Sequence, residues 1–185
     1  ASDLFSSVTV DTVEAAQTIE QVIFTVSNVT DGADEIINID GTAVALTNGN
    51  SGTTTTNGYG YSVALVGNTA TVTLTTTGTG SAAIETLIDA LSYQNDSQDP
   101  TEAARAITFT SITDSGGSTG GDVNTTTTGL PAAASVTVAA VDDAPTLSAT
   151  ALTPTFTEGD VSASDLFSSV TVDTVEAAQT IEQVI

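Results

Sequence analysis

The opening stretch of the chain, Ala1 to Ile23, recurs without a mismatch as Ala163 to Ile185. Identity over that length does not arise by chance, and it makes positions 1–162 one period of a tandem array. Such a period is too long for a helical solenoid unit and suits a large β-sandwich module. The sequence therefore reads as one full period and the opening of the next. A sequence cut deliberately to overlap two repeats would read the same way, and it too requires a parent with tandem copies.

Charge narrows the partners. A single cation, Arg105, stands against 23 Asp or Glu, for a net charge of -22. Such a surface repels nucleic-acid phosphates and anionic membrane surfaces and attracts cations. With no His and no Cys, the chain offers no imidazole base, thiol nucleophile or disulfide, and no ordinary zinc, haem or iron–sulfur site. The absence of Cys and Lys and a Thr content of about one residue in five suit an exported bacterial chain, so the expected location is extracellular, at the cell surface. No stretch approaches the roughly 20 apolar residues of a membrane span.

β-branched or alternating runs predict strands at Ser7–Val10, Gln21–Val26, Glu35–Ile39, Ala43–Leu46, Tyr61–Val66, Thr69–Thr75, Ala106–Ile112, Ala134–Val141 and Thr153–Thr157. Asp31-Gly32, Asn48-Gly49, Gly67-Asn68 and Gly116-Gly117 punctuate them as turns. One segment departs from this period. Between Ser81 and Tyr93, Ile84, Leu87, Ile88 and Leu91 fall at helical spacing, with Ser81 placed as N-cap. The pattern predicts an all-β antiparallel sandwich carrying one short amphipathic helix over about 81–93.

Whatever chemistry the chain has rests on carboxylates. Ca2+ takes six to eight oxygens from Asp, Glu, Asn and backbone carbonyls, and acidic residues cluster in the predicted turns: Asp11 with Glu14, Asp31 with Asp34 and Glu35, Asp96 with Asp99, Asp114 beside Gly116, Asp142 with Asp143, and Glu158 with Asp160. None has EF-hand spacing. The junction set is the most promising. Asp142 and Asp143 precede Pro145, which stops a strand ladder. Asp173 and Glu176 repeat Asp11 and Glu14 one period later, and Asp114 lies about as far before the junction as they lie after it. Unit charges about 4 Å apart repel by roughly 4 kcal/mol at an effective dielectric of 20. A divalent ion between modules would turn that repulsion into attraction and stiffen the hinge.

Asp142-Asp143-Ala144-Pro145 resembles the Asn-Asp-Ala-Pro junction of bacterial cadherin-like repeats in giant surface adhesins, with Asp142 where Asn is usual. Thr157-Glu158-Gly159-Asp160 resembles the Glu-Gly-Asp element of their first strand. Asp40-Gly41-Thr42, the run from Leu91 through Pro100 to Arg105, and Asp114-Ser115-Gly116-Gly117 fit the same family, so the likeness spans nearly the whole period. It implies an immunoglobulin-like or cadherin-like extender, often rigidified by Ca2+, in an exported tandem array. It also implies a repeat that starts near Pro145, so that 1–144 are the body of one sandwich repeat, its first strand missing by a circular offset, and 145–185 supply the first strand and start of the next. Arg105 matches the family's Arg in that run and reads as a structural partner for Asp99 or Asp96.

Three functions compete. The first is a non-catalytic extender that spaces a binding domain from the cell, with any host or matrix ligand held by other domains of the parent. The second is a subunit of an extracellular filament or surface layer, joined to identical neighbours by strand addition. The third, a carbohydrate-active enzyme with paired carboxylates, is the poorest fit. With few Tyr and Phe and no Trp the chain is poorly equipped for sugar platforms, and a long exact repeat suits mechanics better than turnover.

Overall fold

In the computed structural model, which describes residues 1–12, 14, 16–117, 123–159, 161–176 and 179–184, the chain divides into two compact units, Ala1–Ala139 and Ala140–Ile185. The chain is all-β and antiparallel, with one α-helix among the described residues. In chain order the strands of the first unit are β1 (Ser2–Asp3), β2 (Ile19–Val26), β3 (Glu35–Ile39), β4 (Thr42–Ala45), β5 (Ser51–Thr53), β6 (Gly60–Val66) and β7 (Thr69–Thr79). After helix α1 (Ser81–Asp89) come β8 (Ser92–Asn95), β9 (Ala104–Asp114), β10 (Thr125–Thr126) and β11 (Ala134–Thr137). They form a small sheet, β1-β8-β3-β4, and a large one, β10-β9-β2-β7-β6-β5, with β11 also paired to β9.

The inward residues of both sheets share one apolar core. Along β7, Ala70, Val72 and Leu74 are buried and alternate with Thr69, Thr71, Thr73 and Thr75, as a pleated strand with one solvated face requires. β2 lies between β7 and β9 and contributes Val22, Phe24 and Val26, with Phe24 edge-on to Phe109 of β9 at 5.8 Å between ring centroids. Ile37, Ile39, Val44 and Tyr93 come from the small sheet. The register of β2 shifts between Ile19 and Gln21 against both neighbours, which lets Ile19 and Val22 both turn inward despite their odd spacing. The β3–β4 hairpin turns on Asp40-Gly41, at φ 47 and 78. Both central residues are left-handed, as a two-residue Asp-Gly turn demands.

The helix buries Ile84, Leu87 and Ile88 on the core, but it is shorter than the periodicity implied. It stops at Asp89, and Ser92–Asn95 becomes β8, because Ser92–Asn95 pairs with β3. Gly80, not Ser81, occupies the N-cap position, with no side-chain capping bond. Two predicted strands are not strands: Ser7–Val10 and Thr153–Thr157 carry no ladder, and Ala134–Val141 shortens to Ala134–Thr137.

The second unit is a two-stranded antiparallel hairpin, β12 (Thr146–Ala151) with β13 (Phe167–Asp173). Leu147 lies opposite Val172, and a bulge falls between the Ser148 and Thr150 pairings. Its apolar side chains find little cover: Leu147, Phe167, Val170 and Val172 are more than half exposed.

Candidate functional site

In the second unit, two of the junction carboxylate positions meet. Asp142 and Asp143 lie just before β12, and Glu176 follows β13. The backbone N–H of Asp143 donates a hydrogen bond to Glu176 Oε1. Glu176 is only 8 % exposed, and its other oxygen, Oε2, is buried with no hydrogen-bond partner among the described residues. Asp142 Oδ1 accepts from Gln179 Nε2 at 2.6 Å. Asp173 turns onto its own loop, where Oδ1 accepts from the Val175 N–H at 2.9 Å. A local turn sets Glu176 in place: its N–H donates to the Thr174 carbonyl at 2.8 Å, and Thr174 Oγ1 donates to the Glu176 carbonyl at 3.2 Å.

A buried carboxylate oxygen with an unused lone pair is costly without a partner, and a hard cation is the partner such an oxygen suits. Glu176, Asp142 and Asp143 are the residues that would hold one. Among the described residues, however, no three acidic side chains are gathered as a ready-made metal group, so binding would require Asp142 and Asp143 to turn toward Glu176. Glu158 sits in an exposed turn, and Asp160 lies outside the described residues.

The remaining candidates belong to the first unit. Asp11 and Glu14 are exposed, and Glu14 repeats the local turn of Glu176, its N–H donating to the Thr12 carbonyl at 2.8 Å. Asp114 ends β9 and accepts from the Gly116 N–H at 2.8 Å through Oδ1, holding the turn after the strand. A Cβ on Gly116 would come within 2.8 Å of that same oxygen, so Gly is needed there for close approach.

Asp31 and Glu35 have a different task. Arg105, fully buried, donates from Nε and Nη2 to the two Glu35 oxygens at 3.0 Å each, and from Nη2 to Asp31 Oδ2 at 3.0 Å. Its Nη1 donates to the carbonyls of Thr101 and Ala103 at 2.9 and 2.6 Å. Glu35 also accepts from the Thr30 and Asp31 N–H groups and from the Tyr93 hydroxyl, at 2.7, 2.9 and 2.9 Å. Asn95 Nδ2 and the Thr101 N–H complete Asp31.

Burial alone would push the Glu35 carboxyl up. Arg105 and the two backbone donors outweigh it and hold the group below its ordinary value. For Asp31, too, burial is outweighed, by hydrogen bonds from Thr101 and Asn95 and by the Arg105 charge. The bond to Glu35 raises the Arg105 value, while burial and then Glu35 push the Tyr93 phenol up to about 12. Among the described residues the salt bridges of Arg105 thus run to Asp31 and Glu35, rather than to the Asp99 or Asp96 expected from sequence proximity. The one available signal was chemical: a sole cation buried in an acidic chain must find carboxylates, and these come from the far side of β4 to β8 in chain order. Comparison with protein-family models, with curated proteins and with solved structures found no match.

Proposed function

We propose that this chain is a non-catalytic extracellular structural repeat, a stiff extender in a large bacterial surface protein of the cadherin-like or immunoglobulin-like kind, stabilised by Ca2+. The observation that carries the reading is the exact recurrence of 1–23 at 163–185 on an all-β frame whose most elaborate polar cluster, around Arg105, is sealed in the core. A buried, fully hydrogen-bonded ion cluster fixes a structure; it offers no reacting atom to a substrate. Extension loads such a module along its inter-strand hydrogen bonds, and long strands such as β2, β7 and β9 share that load.

Ca2+ would neutralise the acidic junction at Asp142, Asp143 and Glu176. An ion bound only to the folded state stabilises it by RT ln(1 + [L]/Kd), about 2.7 kcal/mol at a hundredfold excess over Kd. The test is calorimetric titration and melting of the chain with Ca2+ and with chelator. Binding with a raised melting temperature, both lost in Glu176→Gln, is the expected result. A melting curve indifferent to chelator at modest salt overturns the Ca2+ part of the reading.

A further inference from the structure

The large sheet buries one face on the core, and the residues of its other face are half-buried or exposed. That second face is free of charge across its middle, in a chain with 23 Asp or Glu. We propose that it is a docking surface for the same face of a second copy of this chain, so that two copies pair side by side. The proposal goes beyond the extender reading and does not depend on it. The strands that build the face, β2, β5–β7 and β9–β11, all lie between Ile19 and Thr137, within one period, and are paired with one another.

Charge is the first argument. The strands of this sheet hold charged residues at three places only. Arg105 is turned inward and fully buried. Asp114 is the last residue of β9 and holds the turn that follows it. Glu20 is bound at the end of β2, where Oε1 accepts from Thr18 Oγ1 and the Gly78 N–H at 3.0 and 3.1 Å. No charged side chain stands between the row of Thr113, Gln21 and Thr75 and the row of Thr108, Thr25 and Thr71. The carboxylates of two paired copies therefore stay outside the contact, where physiological salt screens them over about 8 Å. The faces themselves meet with no ion to desolvate.

Texture is the second. At the centre of the face Ile23 lies opposite Thr73, and Thr73 opposite Ser62. Two threonines flanking Ile23 spend their hydroxyl donors within the sheet: Thr110 Oγ1 donates to the Ile23 carbonyl at 3.2 Å, and Thr25 Oγ1 to the Thr108 carbonyl at 3.5 Å. Donors already satisfied lower the cost of drying the surface. Short side chains on a regular sheet suit the aligned packing of two sheets, at about −30° and about 10 Å.

Area is the third. Strands β9, β2, β7 and β6 are each paired with the next over seven positions. At about 4.8 Å between strands and about 3.4 Å per residue they give roughly 450 Å² of face, and the short strands β5, β10 and β11 add roughly 150 Å². Two copies thus bury roughly 1,200 Å², the lower bound of a stable specific interface. A tandem array presents the face once per period, so its contacts reinforce one another by avidity.

Sedimentation equilibrium of the whole chain, from micromolar to millimolar at near-physiological salt, is expected to show a dimer that is favoured further as salt rises. Thr73→Glu sets like charges against each other at the centre and is expected to weaken the dimer by about a hundredfold. Ala64→Glu, at an exposed position of β6, is the second variant, and melting followed by circular dichroism verifies the fold of both. A monomer throughout overturns the proposal, as does a dimer whose affinity neither variant changes. So does a dimer lost in Leu147→Asp but kept in the face variants, which would show joining through the second unit. Binding of a monomeric chain to insoluble cellulose, lost in Thr73→Glu, would assign the face to a polysaccharide and overturn the pairing. Ca2+ stabilisation is read at Glu176 in a separate unit, so failure of the pairing leaves the extender reading standing.

Discussion

Replacing Arg105 by Met removes the only cation in the chain from a pocket in which Glu35 is fully buried. Breaking a buried ion pair from one side costs about 3–5 kcal/mol, because the remaining charge is uncompensated. Here the carboxylate keeps three donors, from Thr30, Asp31 and Tyr93, while the carbonyls of Thr101 and Ala103 lose theirs. These offset one another in part, so a loss of about 4 kcal/mol is expected. For a unit of this size that lowers the melting temperature by about 10–15 °C. All three tyrosines lie in the first unit, so circular dichroism in the tyrosine band reports its melting alone.

The pH dependence gives the sharper readout. In the native chain the values of Glu35 and Asp31 are depressed. Their stabilisation is fully present above the ordinary carboxylate values near 4, and it is lost as pH falls through the depressed ones. Without Arg105, burial dominates Glu35 and its value rises above the ordinary one. The variant's deficit should then shrink as pH falls from about 7 to 5, where Glu35 takes up a proton on folding. Adding Glu35→Gln to Arg105→Met should recover most of the loss at pH 7. A deficit under about 1 kcal/mol, or one constant across that range, refutes the reasoning.

Phe24→Ala empties the centre of β2 against Phe109 and should cost about 3–5 kcal/mol, read in the same melting assay. Tyr93→Phe removes the hydroxyl bonded to Glu35 and should cost about 1–2 kcal/mol at neutral pH. Because the phenol is pushed up to about 12, its stabilisation is complete below its ordinary value near 10 and lost as pH rises through 12. An ultraviolet titration should show one tyrosine ionising only with the alkaline unfolding of the first unit.

Much of the frame was legible because strand periodicity is local. Glu35–Ile39 and Tyr61–Val66 fall where alternation put them, within a residue, and the buried Ile84, Leu87 and Ile88 sit where helical spacing put them. Helical spacing carries the expected helix on through Ser92 and Tyr93, because the partner that makes them a strand, β3, lies far back in the chain, before four other strands and the helix itself. The same separation hid the Arg105 cluster. Nothing near Arg105 in sequence identifies Glu35 as its bidentate partner; only the pairing of β3 with β8 and the course of β9 bring them together.

The repeated peptide separates these two kinds of information within a single chain. What its sequence determines appears in both copies: the left-handed serine at 7 and 169, and the turn linking Thr12 to Glu14 and Thr174 to Glu176. Each is closed by groups a few bonds apart, so each travels with the peptide. What the surroundings decide differs between them. Ile19 and Val22 are 2 % and 1 % exposed in β2, while their counterparts Ile181 and Val184 are 40 % and 80 % exposed outside any strand. Phe167–Asp173 is a strand and Phe5–Asp11 is not. A turn can satisfy its own backbone, but a strand needs a ladder and a core supplied from far along the chain, or from another copy of it.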